Sequence, residues 1–143
     1  MTIAFEPDHE DEYPRAVGHA MGYLAMVAAC PPLAVQLVTH HVAAMGLALL
    51  LLVAILRTYM RTLVRDALSP LRARYVLTGV DQAAACLVIA SACAVFALAS
   101  VDRDALWAGL LGFAALLAAG LSAQRLFSAR RTWHSSTFLS RLE

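Results

Sequence analysis

The sequence predicts an all-α, polytopic integral membrane protein with four transmembrane helices. Of its 143 residues, 61% are hydrophobic and 15% are charged, whereas soluble domains usually contain about 45–50% apolar and about 25% charged residues. Residues 42–56, 83–101 and 105–123 contain no charged side chain, and long uncharged apolar stretches are typical of membrane spans. Three spans plus a re-entrant or interfacial helix at residues 17–30 form the alternative architecture.

Charged residues are unevenly distributed, and their distribution predicts the orientation of the chain. Residues 57–81 hold five arginines against two aspartates, and residues 125–143 hold four arginines against one glutamate. Short arginine-rich segments stay on the cytoplasmic side of a membrane. We therefore expect a multi-pass protein of the bacterial inner membrane, with both termini and a basic loop at 61–77 in the cytoplasm and the turn at 102–104 outside.

The organisation along the chain is expected to be simple. An acidic tail at residues 1–16 precedes a single transmembrane domain at 17–128, and a basic tail at 129–143 follows it. The expected spans are residues 17–38, 42–60, 78–101 and 105–127.

The last two of these spans begin at recognisable helix starts. Thr78 provides a side-chain oxygen and Asp81 an acid three residues later, a spacing that resembles a capping box. Asp104 directly precedes the fourth span, and aspartate is a favoured N-cap residue. These patterns predict helix N-termini at residues 78 and 104.

The first turn can be placed in two ways. With the turn at Thr39–His41, Pro31 and Pro32 lie inside a first span that rises ~33 Å, close to the thickness of the hydrocarbon core. With the turn at the prolines, only about fourteen apolar residues precede it, which is ~21 Å of helix and short for a span. The first placement is therefore preferred.

His19, His40 and His41 are candidate haem ligands only in the second placement. There His19 and His40 would differ in depth by ~3–5 Å, and two helices could supply the axial imidazoles of a haem b. His41 would point about 100° away from His40, so only one of the two could bind the iron. In the first placement His19 lies ~30 Å from the other two. Apart from this conditional haem, neither a cofactor nor a metal is expected.

Arg57, Arg61 and Arg65 recur every four residues, so they form one stripe on a helix that leaves the membrane. Such a stripe can hold anionic lipid headgroups, at about 1 kcal/mol per arginine near the surface, or an acidic segment of a partner. It also fits an ordinary topological anchor. We expect contacts with lipid or with a partner at these three residues.

Glycines mark candidate helix-packing faces. Gly18 and Gly22 form a GxxxG motif in the first span, and Gly109 and Gly112 lie in the fourth. Small residues let helix backbones approach closely in lipid, where packing drives helix association. These four positions are therefore expected to contact other helices, of this chain or of another subunit.

The spans contain few groups that could carry chemistry. Transporters and proton relays usually place ionisable side chains at mid-membrane, but here Asp81 lies at the end of a span. The sequence also contains no recognisable arrangement of a nucleophile and a base. The chain is therefore not expected to be an enzyme, and nucleic acid is not an expected partner.

These observations favour a non-catalytic accessory or structural subunit of a larger inner-membrane complex, such as a respiratory or other energy-transducing one. Its partners would be membrane lipids and other membrane subunits. A small homo-oligomeric channel or transporter is the alternative, with a thin polar lining on the third span formed by Gln82, Cys86, Ser91, Cys93 and Ser100. A haem- or quinone-binding membrane anchor of a redox enzyme is the second alternative.

Overall fold

The computed structural model describes residues 12–40 and 43–134, which form four long helices joined by short turns. Each helix is long and apolar enough to cross a membrane, and no strand occurs in the described residues. The predicted fold class, an all-α multi-pass membrane protein with four spanning helices, is confirmed. The helices are α1 (Glu12–Thr39), α2 (Ala43–Ala67), α3 (Pro70–Ser100) and α4 (Ala105–His134).

The first helix continues through its two prolines. Pro31 and Pro32 lie inside α1, and the chain leaves the helix only after Thr39, as the preferred placement of the first turn has it. A proline has no N–H, so the carbonyl four residues before it loses its usual donor. For Pro32 this carbonyl belongs to Ala28, and the hydroxyl of Ser91 on α3 donates to it at 2.6 Å. A neighbouring helix thus replaces the missing donor, which is how membrane helices tolerate proline.

The basic loop predicted at 61–77 is wrong, because both flanking helices continue into it. α2 runs to Ala67 and α3 begins at Pro70, so Leu68 and Ser69 alone connect them. Arginine, leucine and alanine are good helix formers, and proline fits the first helical position, where its missing N–H has no partner to lose. The arginines therefore indicate where the apolar parts of the spans end, but both helices continue beyond that point.

The helix start predicted at residue 78 is wrong for the same reason. Thr78 lies well inside α3, which begins at Pro70. Its hydroxyl donates to the carbonyl of Arg74 at 2.8 Å. The predicted cap at Asp104 is confirmed, because the backbone N–H of Leu106 donates to its carboxylate at 3.0 Å.

The terminal tails are shorter than predicted. Residues 12–16 belong to α1 rather than to the acidic tail, and α4 continues through residues 129–134. The remainder of the two predicted tails, residues 1–11 and 135–143, lies outside the described residues.

The core lies in one half of the bundle. α3 packs most extensively on α4, and α1 packs on both α2 and α3. Buried side chains come from the first half of α1, the last third of α2 and the facing parts of α3 and α4, with Met60 fully buried among them. The described segments 28–40, 44–59 and 91–117 contain no buried side chain. The half of the bundle near the α2–α3 connection is therefore closely packed, and the other half is open.

Candidate functional site at the arginine-rich end

The closely packed half of the bundle also carries most of the positive charge. We call it the basic end; it comprises the start of α1, the α2–α3 connection and the end of α4. Arg103, in the turn between α3 and α4, lies at the opposite end. The described arginines of the basic end are Arg15, Arg57, Arg61, Arg65, Arg72, Arg74, Arg125, Arg130 and Arg131.

Two of the three stripe arginines have a partner within the chain. Arg57 holds the carboxylate of Asp81 with two hydrogen bonds, from Nε to Oδ1 at 3.2 Å and from a terminal nitrogen to Oδ2 at 2.9 Å. Arg61 donates to the same Oδ2 at 3.1 Å. Bidentate pairing of arginine with a carboxylate is among the stronger polar contacts in proteins. It neutralises part of the charge that α2 and α3 carry into the membrane.

The sequence analysis missed Asp81 as this partner because it assigned the residue to a helix cap. The signal was nevertheless present. Arg57 and Asp81 lie at nearly equal distances along the chain from the Leu68–Ser69 connection. Once a tight hairpin is placed there, equal spacing puts both side chains at the same depth.

A pocket lies between α2 and α3, beside this ion pair, with a volume of about 530 Å³. We call it the basic pocket. Arg65 and Arg74 are exposed there, and neither guanidinium group makes a hydrogen bond or ion pair with another residue that the structure describes. The pocket is lined by Arg61, Arg65, Pro70, Ala73, Arg74, Leu77, Thr78 and Asp81.

A second, apolar cavity of about 240 Å³ lies on the other side of the α2–α3 pair. Met60, Val64 and Val76 form its wall toward α2 and α3. Tyr13 and Trp133 close it near the basic end, with ring centroids 5.5 Å apart. Its lining is mostly apolar and offers few polar groups that would orient a ligand.

Two of the candidate haem ligands, His19 and His40, lie far apart in the structure. His19 Nδ1 donates to the carbonyl of Arg15 at 2.7 Å, and the ring packs on Tyr59 of α2 with centroids 5.0 Å apart. His40 lies at the far end of the same continuous helix, ~30 Å away. His41 lies outside the described residues. The paired site that depended on a turn at the prolines is therefore not formed.

The four predicted packing glycines make no close contact with the residues that the structure describes. A Cβ atom added at Gly18, Gly22, Gly109 or Gly112 would meet none of their atoms within 4 Å. The close approach occurs instead at Gly79, where a Cβ would lie 3.2 Å from the Cβ of Ala129 on α4. The sequence analysis overlooked Gly79 because the residue stood inside the pattern that was interpreted as a helix cap.

Comparisons of the chain with protein-family models, with curated protein sequences and with solved structures found no match.

Proposed function

We propose that this protein is a non-catalytic accessory or structural subunit of a larger complex in the bacterial inner membrane, such as a respiratory or other energy-transducing complex. One observation carries the proposal: two helices present glycines to open space. Gly18 and Gly22 on α1, and Gly109 and Gly112 on α4, have no neighbour within 4 Å of an added Cβ.

Open glycine pairs suit helix association in lipid. In a membrane, lipid tails are as apolar as the side chains, so the hydrophobic effect does not drive helix association. Membrane helices associate instead through close packing, which small residues permit. Within the described residues, Gly79 makes such a contact between α3 and α4, and Gly46 of α2 contacts Leu37 of α1. The glycine pairs on α1 and α4 meet no described residue and would be free for helices of other subunits.

The polar groups of the spans support a structural role. Ser91 and Ser122 donate to backbone carbonyls of neighbouring helices, and Asp81 is held by two arginines. Ser100 donates to its own helix, at the carbonyl of Phe96. Ser91, Ser122 and Asp81 thus hold helices together, and Ser91 is one of the proposed lining residues of a channel.

We place both termini in the cytoplasm, because the basic end faces the side that retains arginine-rich segments. The same end would attract anionic lipids of the inner leaflet. The open outer half of the bundle would then face lipid or neighbouring subunits.

The test is co-purification with paired leucine substitutions. Gly18→Leu with Gly22→Leu, and separately Gly109→Leu with Gly112→Leu, fill the two open faces without a clash inside the chain. Overpacking at a helix contact costs about 1–3 kcal/mol, so at least one pair should reduce the co-purified subunits roughly tenfold. Ala48→Leu is the control, because Ala48 is exposed on α2, outside the two glycine faces.

Unchanged co-purification with both pairs would contradict the assignment of these faces. The same faces would also serve a homo-oligomeric channel or transporter, which stays the alternative. In that case each leucine pair would dissociate a homo-oligomer, and other subunits would be missing from the wild-type preparation as well. The second alternative function, a quinone-binding anchor, is supported only by the apolar cavity.

A further inference from the structure

We propose that the basic pocket is a binding site for a phosphate-bearing anion, supplied by the headgroup of an anionic phospholipid or by free phosphate. The proposal concerns this chain alone and stands apart from the accessory role. Only its lipid source rests on the proposed orientation, in which the basic end meets the cytoplasmic leaflet.

The charge of the pocket is unbalanced in favour of an anion. Three arginines line it, Arg61, Arg65 and Arg74, against the single carboxylate of Asp81. That carboxylate is already bound by Arg57 from outside the pocket as well as by Arg61. Arg65 and Arg74 thus keep their guanidinium groups available, and guanidinium binds phosphate oxygens in a bidentate fashion.

A helix N-terminus adds to this positive potential. Pro70, the first residue of α3, lines the pocket, and Ser69 before it makes no side-chain cap hydrogen bond. Pro70 itself has no N–H, and the N–H of Ala73 donates to the carbonyl of Ser69 at 2.8 Å. The terminus therefore contributes through the partial positive charge of the helix dipole, which favours an anion nearby.

The volume of the pocket and its level relative to the membrane surface suit a lipid headgroup. Its volume of about 530 Å³ lies within the range of small-molecule sites, about 300–1,000 Å³. Tyr59 and Tyr75 of the same two helices are 55% and 68% exposed, and exposed tyrosines of this kind sit at the membrane–water interface. Basic pockets between helices at this level are typical of headgroup sites.

The test measures binding of phosphatidylglycerol to the purified full-length protein by native mass spectrometry, with phosphatidylcholine as the uncharged comparison. Arg65→Gln with Arg74→Gln removes the two available guanidiniums. Each arginine contributes roughly fivefold near an anionic surface, so this double variant should bind about 25-fold more weakly. Arg125→Gln with Arg131→Gln is the control, since both residues are exposed at the same end and lie outside the pocket.

A separate calorimetric titration with inorganic phosphate identifies the source. If phosphate binds and depends on Arg65 and Arg74, the pocket recognises the phosphate group itself. If only phosphatidylglycerol shows this dependence, the lipid is the ligand. Either outcome supports the site.

Equal weakening by the two double variants would show general attraction to a basic surface and would overturn the proposal. Absence of binding by both probes would overturn it as well. Thermal unfolding of each variant establishes that it folds. Should the glutamine variant unfold, Arg65→Lys with Arg74→Lys keeps the charge and loses the bidentate geometry, and an affinity equal to that of the wild type would then reject the site. Because no other subunit is present, the result is independent of the proposed assembly.

Discussion

Single polar side chains decide how the helices of this bundle fit together. Pro32 removes the donor for the carbonyl of Ala28, and Ser91 of α3 supplies a replacement at 2.6 Å. In hydrocarbon an unsatisfied carbonyl costs several kcal/mol. Ser91 therefore compensates for the donor that Pro32 removes, although the two residues lie on different helices.

Replacing Ser91 should destabilise the protein only while Pro32 is present. We expect Ser91→Ala to lower the free energy of unfolding by about 1 kcal/mol, within the range measured for hydrogen bonds between membrane helices. In a Pro32→Ala background the helix regains its own N–H donor to Ala28, and the same serine substitution should cost much less. Unfolding of the four proteins of this cycle in detergent provides the measurement.

Ser100→Ala is the control for this cycle, because its hydroxyl bonds only within α3. Equal losses from Ser91→Ala in both backgrounds would show that the serine acts independently of the proline.

Asp81 should matter more to stability than another aspartate of the same region. Asp81→Asn leaves Arg57 and Arg61 without their carboxylate, and two neighbouring cations then repel each other. We expect a loss of about 1 kcal/mol, a modest value because both arginines are partly exposed and water screens the pair. Asp66→Asn removes the same charge from an exposed side chain. Equal melting temperatures for the two variants would contradict a structural role of the ion pair.

At the residue level the sequence predicted the types of important side chains better than their partners. The arginine stripe and the Asp104 cap follow from spacing along one helix, which periodicity reveals. The contacts Arg57–Asp81 and Ser91–Ala28 join different helices. They depend on the rotation and depth of each helix, which a single sequence does not determine.

Among the elements, the α2–α3 hairpin differs most from expectation. The polar, arginine-rich stretch at 61–77 predicts a loop, yet the chain turns within Leu68 and Ser69. Hydropathy locates the edge of the membrane, whereas Pro70 locates the start of the helix. The two coincide in many spans, but here α3 begins well before its apolar part.

The α3–α4 contact depends on Gly79. A leucine at this position would place its Cβ against Ala129 at 3.2 Å and near the backbone of Arg125. We expect Gly79→Leu to destabilise the isolated protein by about 1–3 kcal/mol, the usual cost of overpacking. Gly120→Leu, with open space around it, should leave thermal unfolding nearly unchanged. A similar stability of both variants would mean that α3 and α4 do not approach closely at this point.

The whole molecule is asymmetric along its long axis. The buried side chains and nearly all described arginines share the basic end, while the opposite half exposes long apolar side chains such as Leu50, Phe96 and Leu106. The preferred number of helices could be predicted from the lengths of the apolar stretches. The asymmetry could not, because it depends on which helices converge.

Site-specific labelling tests the orientation of this axis. In a background where Cys30, Cys86 and Cys93 are alanine, Asp102→Cys should react with a membrane-impermeant maleimide added outside intact spheroplasts. Ser69→Cys should react only after lysis, because it lies at the basic end. The reverse pattern would place the arginines outside and contradict the proposed topology.

The central claim is that this chain is a subunit of a larger membrane complex, and a native mass spectrum tests it most directly. The protein would be purified by a C-terminal tag in the mildest workable detergent. We predict a mass that exceeds the 15.3 kDa chain by the masses of other subunits, with those subunits reduced in the glycine-pair variants. A spectrum containing only the single chain, or only whole multiples of its mass, would contradict the claim.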